Sequence, residues 1–135
     1  MGDSGSVRLF RIAGIDVRVH VSWLIVFGLV TWSLADAWYV PDIVPGIQAA
    51  EAWLLGAVSA ILLFASVLVH ELAHSLMARA RGLGAHSITL FVFGGVSTLT
   101  ADSPRPLTEF LVAVVGPLTS FVLSAVAFAA AELAT

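Results

Sequence analysis

Cysteine is absent from the 135 residues, and so is lysine. Without cysteine there is no disulfide framework, no iron–sulfur cluster and no thiolate zinc site, which leaves His, Asp and Glu as the strong metal ligands. Positive charge is confined to six scattered arginines against nine acidic residues, for a net charge of −3. That distribution offers no basic patch and argues against nucleic-acid binding. Charged residues make up 11% of the chain, where a soluble domain has about 25%. Hydrophobic residues make up 59%, and the mean hydropathy is +1.01. So few charges cannot cover a water-exposed surface, so the apolar excess must face a lipid bilayer. At about 20 apolar residues per crossing, a chain of this length holds three or four spans in one domain.

Val19 to Ala35 is a run of 17 residues without Asp, Glu or Arg, with Trp23 near its start and Trp32 and Trp38 near its end. It reads as a first transmembrane helix with aromatic ends, and it is longer than the apolar core of a signal peptide. A second uncharged run, Ala52 to His70, continues in helical pattern through Glu71 and His74 to Arg79 and Arg81. A third spans Phe110 to Ala131. The stretch from Gly82 to Ala101 is also uncharged, but Ser87 to Phe93 and Val96 to Thr100 are rich in β-branched and aromatic residues around Gly94-Gly95. That pattern predicts a hairpin turning at the two glycines. Open β structure at membrane depth must be satisfied by protein or a wet cavity, so the hairpin is expected to be re-entrant or interfacial. The expected fold is therefore an all-α membrane protein with three transmembrane helices, a short N-terminal strand and this hairpin. Arg8, Arg11 and Arg18 precede the first span, and Arg79, Arg81 and Arg105 follow the second. The loop between carries Asp36, Asp42 and Glu51 and no arginine. The positive-inside rule then places the N-terminus and residues 79–105 in the cytoplasm of a multi-pass cell-membrane protein. Breaks fall at Pro41 to Gly46 and at Ser103-Pro104-Arg105-Pro106.

His70-Glu71-Leu72-Ala73-His74 is an HExxH motif inside the second apolar helix. Four residues turn about 400°, so His70 and His74 lie about 40° apart on one face, one turn apart in height, where both imidazoles can reach one ion. Glu71 lies between them in angle, and its carboxylate can reach a metal-bound water without taking a coordination position. Zinc makes water acidic and polarises a carbonyl, and the carboxylate can take the proton and pass it to a leaving amine. That is peptide hydrolysis. A helix histidine or glutamate is ordinarily structural, but ionisable groups inside a bilayer cost at least about 2.5 to 3.5 kcal/mol each and are functional by default. His74 is seven residues from Arg81, which sets the site about 10 Å inside the last arginine. Water must therefore reach it from the cytoplasmic side.

Catalytic zinc takes three protein ligands. No third histidine follows at the spacing of the longer zinc motifs, since position 80 is Ala80. His86, Asp102 and Glu109 remain. The first two fall in the cytoplasmic connection, and Glu109 suits the positive end of the third helix's dipole.

Taken in order, these residues resemble the site-2 protease family of intramembrane zinc metalloproteases, in particular its compact bacterial branch. Gly14 to Ser22 is similar to that branch's N-terminal strand and His70 to Leu76 to its catalytic helix. Leu90 to Val96 is similar to its membrane-associated hairpin, and Glu109-Phe110-Leu111 with Val115-Gly116-Pro117 to the start of its next span. The resemblance implies regulated intramembrane proteolysis of a membrane-embedded substrate such as an anti-sigma or pro-sigma factor. His70 and His74 would hold Zn2+ and Glu71 would activate water. The hairpin edge would hold an unwound substrate by strand addition. The family's third ligand is an Asp in an Asn-Pro-Asp-Gly or Leu-Asp-Gly type motif on a later span, and these residues contain none. Residues 1–135 thus read as a single membrane-embedded protease core cut short before that span. Ser120 stands where many relatives have Asn, and Pro117 should kink the third helix. The alternative is a non-catalytic membrane protein that binds single-span partners. A transporter fits less well, with three spans and no repeated halves.

Overall fold

The computed structural model describes residues 5–36, 45–91, 94–99 and 105–135. In chain order they form β1 (Ser6–Ile12), β2 (Ile15–His20), α1 (Ser22–Ser33), α2 (Ala49–Ala80), β3 (Ala85–Phe91), β4 (Gly94–Leu99) and α3 (Pro106–Ala134). Trp38, Pro41, Asp42, Asp102, Ser103 and Pro104, which the sequence reading used, lie outside the described residues.

The two long helices follow the apolar runs. α2 has 32 residues with Glu51 in its first turn, and α3 has 29 with Pro106 opening it and Glu109 in its first turn. Acidic residues suit the positive end of a helix, and proline has no N–H to lose there. α2 stops where Gly82 takes a φ of +87°, a left-handed geometry that glycine adopts without strain. Both helices are long and apolar enough to cross a bilayer. Their outward faces carry exposed large apolar side chains, among them Leu54, Leu62, Phe121 and Phe128.

The first helix differs from expectation. Val19 and His20 belong to β2, α1 starts at Ser22, and the apolar helical segment ends at Asp36. Alternating β-branched Val17 and Val19 hold the chain extended, so the helix starts later than expected, and its described part, Ser22–Asp36, is about 22 Å long at 1.5 Å per residue. It crosses α2 at small residues. A Cβ built on Gly56 would stand 2.7 Å from the Thr31 carbonyl oxygen and 3.4 Å from the Ala35 methyl. Small-residue contacts of this kind let apolar helices approach closely. Further along, the Trp23 ring lies 5.0 Å from both Phe27 and Phe64.

The expectation of an otherwise all-α fold also needs correction. The protein is mostly helical, but two N-terminal strands replace the one expected, and they join the predicted hairpin in a four-stranded sheet of order β1-β2-β3-β4. β2 and β3 are parallel, with Asp16 opposite Ser87 and Val19 opposite Leu90. The hairpin therefore does not stand alone: β2 pairs one of its edges, which meets the demand that buried backbone groups find partners. Gly94 pairs with Phe91 and Gly95 with Leu90, so the two glycines expected in the turn are strand residues. Glycine serves in a strand next to a turn as readily as in the turn itself. α2 packs on β3 and β4, and Ile15, Val17, Ile88 and Leu90 of the sheet are buried, as are Ser75 and Ala78 of α2. At the far end the Arg79 guanidinium donates to the Ala13 carbonyl in the β1–β2 turn.

Candidate metal centre

α2 carries His70, Glu71 and His74 in its C-terminal half, and α3 packs against α2 there. The two imidazoles turn their Nε2 atoms toward each other at 3.1 Å. Their other nitrogens are held by α3. His70 Nδ1 lies 2.8 Å from Ser120 Oγ, and His74 Nδ1 donates to the Val112 carbonyl oxygen. A carbonyl only accepts, so His74 carries its proton on Nδ1 and presents a lone pair at Nε2. Ser120 can accept from His70 in the same way.

With His70 in that tautomer too, two lone pairs face each other, an arrangement that a cation between them would relieve; with Ser120 donating instead, His70 Nε2–H donates to His74 Nε2. Nitrogens bound at about 2.0 to 2.1 Å to one tetrahedral ion stand about 3.3 Å apart, close to the separation found. Imidazoles that ligate zinc usually donate their second N–H to a carbonyl or similar acceptor, which fixes tautomer and orientation. The two histidines therefore fit a zinc ion.

α3 supports them with one stripe. Val112, Gly116 and Ser120 recur every four residues and so share a face. Gly116 in the middle is buried, and a Cβ there would collide with His74 Nε2 and stand 2.7 Å from His70 Nε2. Only glycine leaves room at this point. Pro117 follows inside the helix; it has no N–H for the Ala113 carbonyl, and its ring crowds the preceding turn. The neighbouring Val112 oxygen is the one turned to His74.

Glu71, half-buried, follows His70 on the same helix. Glu109 stays in the first turn of α3. Among the described residues no three His, Asp or Glu side chains gather at one point, so two histidines converge here and Glu109 does not join them. The His86 side chain and Asp102 lie outside the described residues. Beside His70 a cleft of about 250 Å³ opens between the helices, lined by Pro117, Ser120, Phe121 and Ser124.

Sequence reasoning found the two histidines and their helix and missed their supports. Ser120 entered it only as a departure from Asn, and a backbone carbonyl such as that of Val112 leaves no mark in a sequence. The usable signal was Gly116 four residues before Ser120 on a helix facing the HExxH motif.

Comparison with known proteins gives a consistent picture. Residues 58–134 match the family model of Peptidase family M50. Rip3 of Mycobacterium tuberculosis, which bears the name of a zinc metalloprotease, is 47% identical over 120 residues, covering 89% of this chain and 30% of that protein. The similarly named sll0528 of Synechocystis is 43% identical over 122 residues, covering 89% and 31%. The solved Site-2 Protease from Methanocaldococcus jannaschii superposes with a TM-score of 0.65 at 33% identity, over 95% of this chain and 52% of that one. The chain thus spans about three tenths of the length of these curated relatives.

Proposed function

Because the chain belongs to peptidase family M50, the site-2 proteases, we propose that it is the membrane-embedded core of a zinc endopeptidase that cuts membrane-spanning proteins. The observation that carries this reading is the convergence of His70 and His74 Nε2, each ring held from behind by α3. His70 and His74 hold the zinc, and a carboxylate from a further span of the whole protein completes its ligands. When bound, zinc supplies a Lewis acid and lowers the pKa of water toward neutrality. Glu71 takes the proton of the attacking water and returns it to the leaving amine. Ser120 and the Val112 carbonyl keep the imidazoles in the ligating tautomer, and Gly116 keeps the space in front of them open. The α2–α3 cleft beside His70 is where water or a substrate segment approaches.

The substrate is a single-span regulatory protein of the anti-sigma or pro-sigma kind, drawn out as a strand along β4, the outer strand next to α2 in the sheet order. Strand addition uses backbone groups that a transmembrane helix exposes only once unwound. α1, α2 and α3 are the three crossings, with the N-terminus and residues 79–105 in the cytoplasm. The test is cleavage of a co-expressed reporter carrying a single-span segment by the full-length protein and by Glu71→Gln. Loss of cleavage by about 10² to 10⁴-fold with zinc retained supports the reading. Undiminished cleavage would sink it and leave a membrane-embedded binding protein.

A further inference from the structure

The α2–α3 interface keeps open more space than a metal ion needs. The cleft of about 250 Å³ beside His70 adjoins a second of about 280 Å³, which shares Ser120 and Ser124 with it and adds Ser66, Leu123 and Ala127 to the walls. On α3, Gly116, Ser120, Ser124 and Ala127 follow one another at spacings of four, four and three. Residues so spaced share a helix face, and their small side chains leave the space unfilled. Ser66 lies four residues before His70, on the side away from Arg79 and Arg81. Both clefts therefore lie along the uncharged runs of the two helices.

The walls say what kind of guest fits. Among the described residues, His70 is the one titratable side chain on either lining. Ser120 Oγ is engaged with His70 Nδ1, and Ser66 Oγ donates to the Leu63 carbonyl of its own helix. Pro117, Phe121, Leu123 and Ala127 make the rest of the walls apolar, with Ser124 where the two clefts meet. A buried water holds two to four hydrogen bonds, whereas a cavity of about 150 Å³ with apolar walls stays dry and accepts a benzene ring. The larger space beside His70 fits an apolar side chain up to the size of phenylalanine. An ionised side chain would find no opposite charge there, at a depth where it needs one.

We propose that this cleft is the pocket that selects the substrate residue next to the bond that is cut. It takes an apolar side chain, from leucine to phenylalanine in size, between Pro117 and Phe121, and Ser124 sets its depth. The proposal rests on the reading of the chain as a zinc endopeptidase. Continuity with the metal centre assigns this occupant: His70 itself belongs to the lining, so a side chain seated in the cleft holds its own backbone beside the two imidazoles. A single methylene gained or lost in an apolar pocket changes the specificity of an enzyme by about 10 to 200-fold. Shape and lack of charge together make the pocket a filter for apolar residues of a membrane-spanning segment.

The test uses full-length protein in proteoliposomes and a single-span reporter whose cut position is first found by mass spectrometry. The residues on either side of the cut are then varied in turn to Ala, Leu, Phe and Asp, and kcat/KM is measured for each. At one of the two positions Leu and Phe should exceed Ala by at least about tenfold, with Asp lowest. Ser124→Leu, which fills the wall common to both clefts, should erase the advantage of Phe over Ala while zinc content and helix content match the parent. Phe128→Leu, on the exposed face of α3, should keep it. Equal turnover of the Ala, Leu and Phe reporters at both positions would overturn the proposal. So would a folded Ser124→Leu protein with the parent's preference, the result expected if a further span or a lipid chain fills the cleft. Glu71→Gln separates the two readings: if it abolishes cleavage while the reporter series is flat, only the pocket fails, and if it cleaves like the parent, the endopeptidase reading fails and the pocket with it.

Discussion

Two glycines hold this fold together by the same physics and to different ends. Gly56 lets α1 cross α2, and a Cβ there would strike the Thr31 carbonyl oxygen, which is backbone and cannot move alone. Gly116 lets α3 approach α2, and a Cβ there would strike the imidazole nitrogens of His70 and His74. Side-chain ends can swing away. The first glycine therefore protects a helix crossing, and the second protects a binding geometry that the helix crossing itself does not need.

The substitutions that separate these roles run from large effects to small. Gly116→Ala should weaken zinc binding by at least tenfold, because the rings must leave the orientation set by Ser120 and Val112, while helix content and melting in detergent stay close to the parent. Gly56→Ala should reverse the pattern. Overpacking of about 1 to 3 kcal/mol lowers the melting temperature, and the surviving folded protein binds zinc as before. If both variants lost stability and metal together, the comparison would collapse into one cooperative unit. Ser120→Ala removes an acceptor and no volume conflict, so a loss of zinc affinity of about 10 to 100-fold is expected, with Ser120→Thr close to the parent. Equal affinity in Ser120→Ala would show that His70 needs no partner on α3.

The smallest effect concerns the sheet. The hydrogen bond from Arg11 holds the Asp16 carboxyl below its usual range, helped by the charges of Arg11, Arg8 and Arg18. A lowered carboxyl value means that this pairing stabilises the hairpin fully above the ordinary carboxylate range and is lost as pH falls through the lowered value. Amide exchange in β1 should accelerate on acidification, and Asp16→Asn should remove that pH dependence while leaving the α2–α3 site unchanged. Exchange in β1 that ignores both pH and Asp16→Asn would leave the ion pair with no structural role.

Much of this was legible in the residues. α2 and α3 were visible as uncharged runs, because apolar length is a signal that survives without knowledge of tertiary contacts, and HExxH fixes its own geometry once its helix is recognised. β1 was missed for a physical reason. The shift between Arg8 and Phe10 breaks the alternation, so Val7, Leu9, Phe10 and Ile12 do not follow a period of two. The parallel pairing of β2 with β3 joins segments far apart in sequence, and no local pattern encodes it. At the site, the two histidines proposed as ligands were identifiable, whereas the hydroxyl and carbonyl beside their rings acquire meaning only when α3 is placed beside α2. The absence of a side chain at Gly116 carries as much of the geometry as the histidines do.

The central claim is that His70 and His74 together form a zinc site held open by α3. Its most direct test is the zinc content of the purified full-length protein, measured beside that of a variant carrying both His70→Ala and His74→Ala, each shown to be folded by its helix content. One zinc per chain in the parent and none in the variant is the predicted result. Equal zinc in both, or none in either after purification without chelator and with zinc supplied, would contradict it.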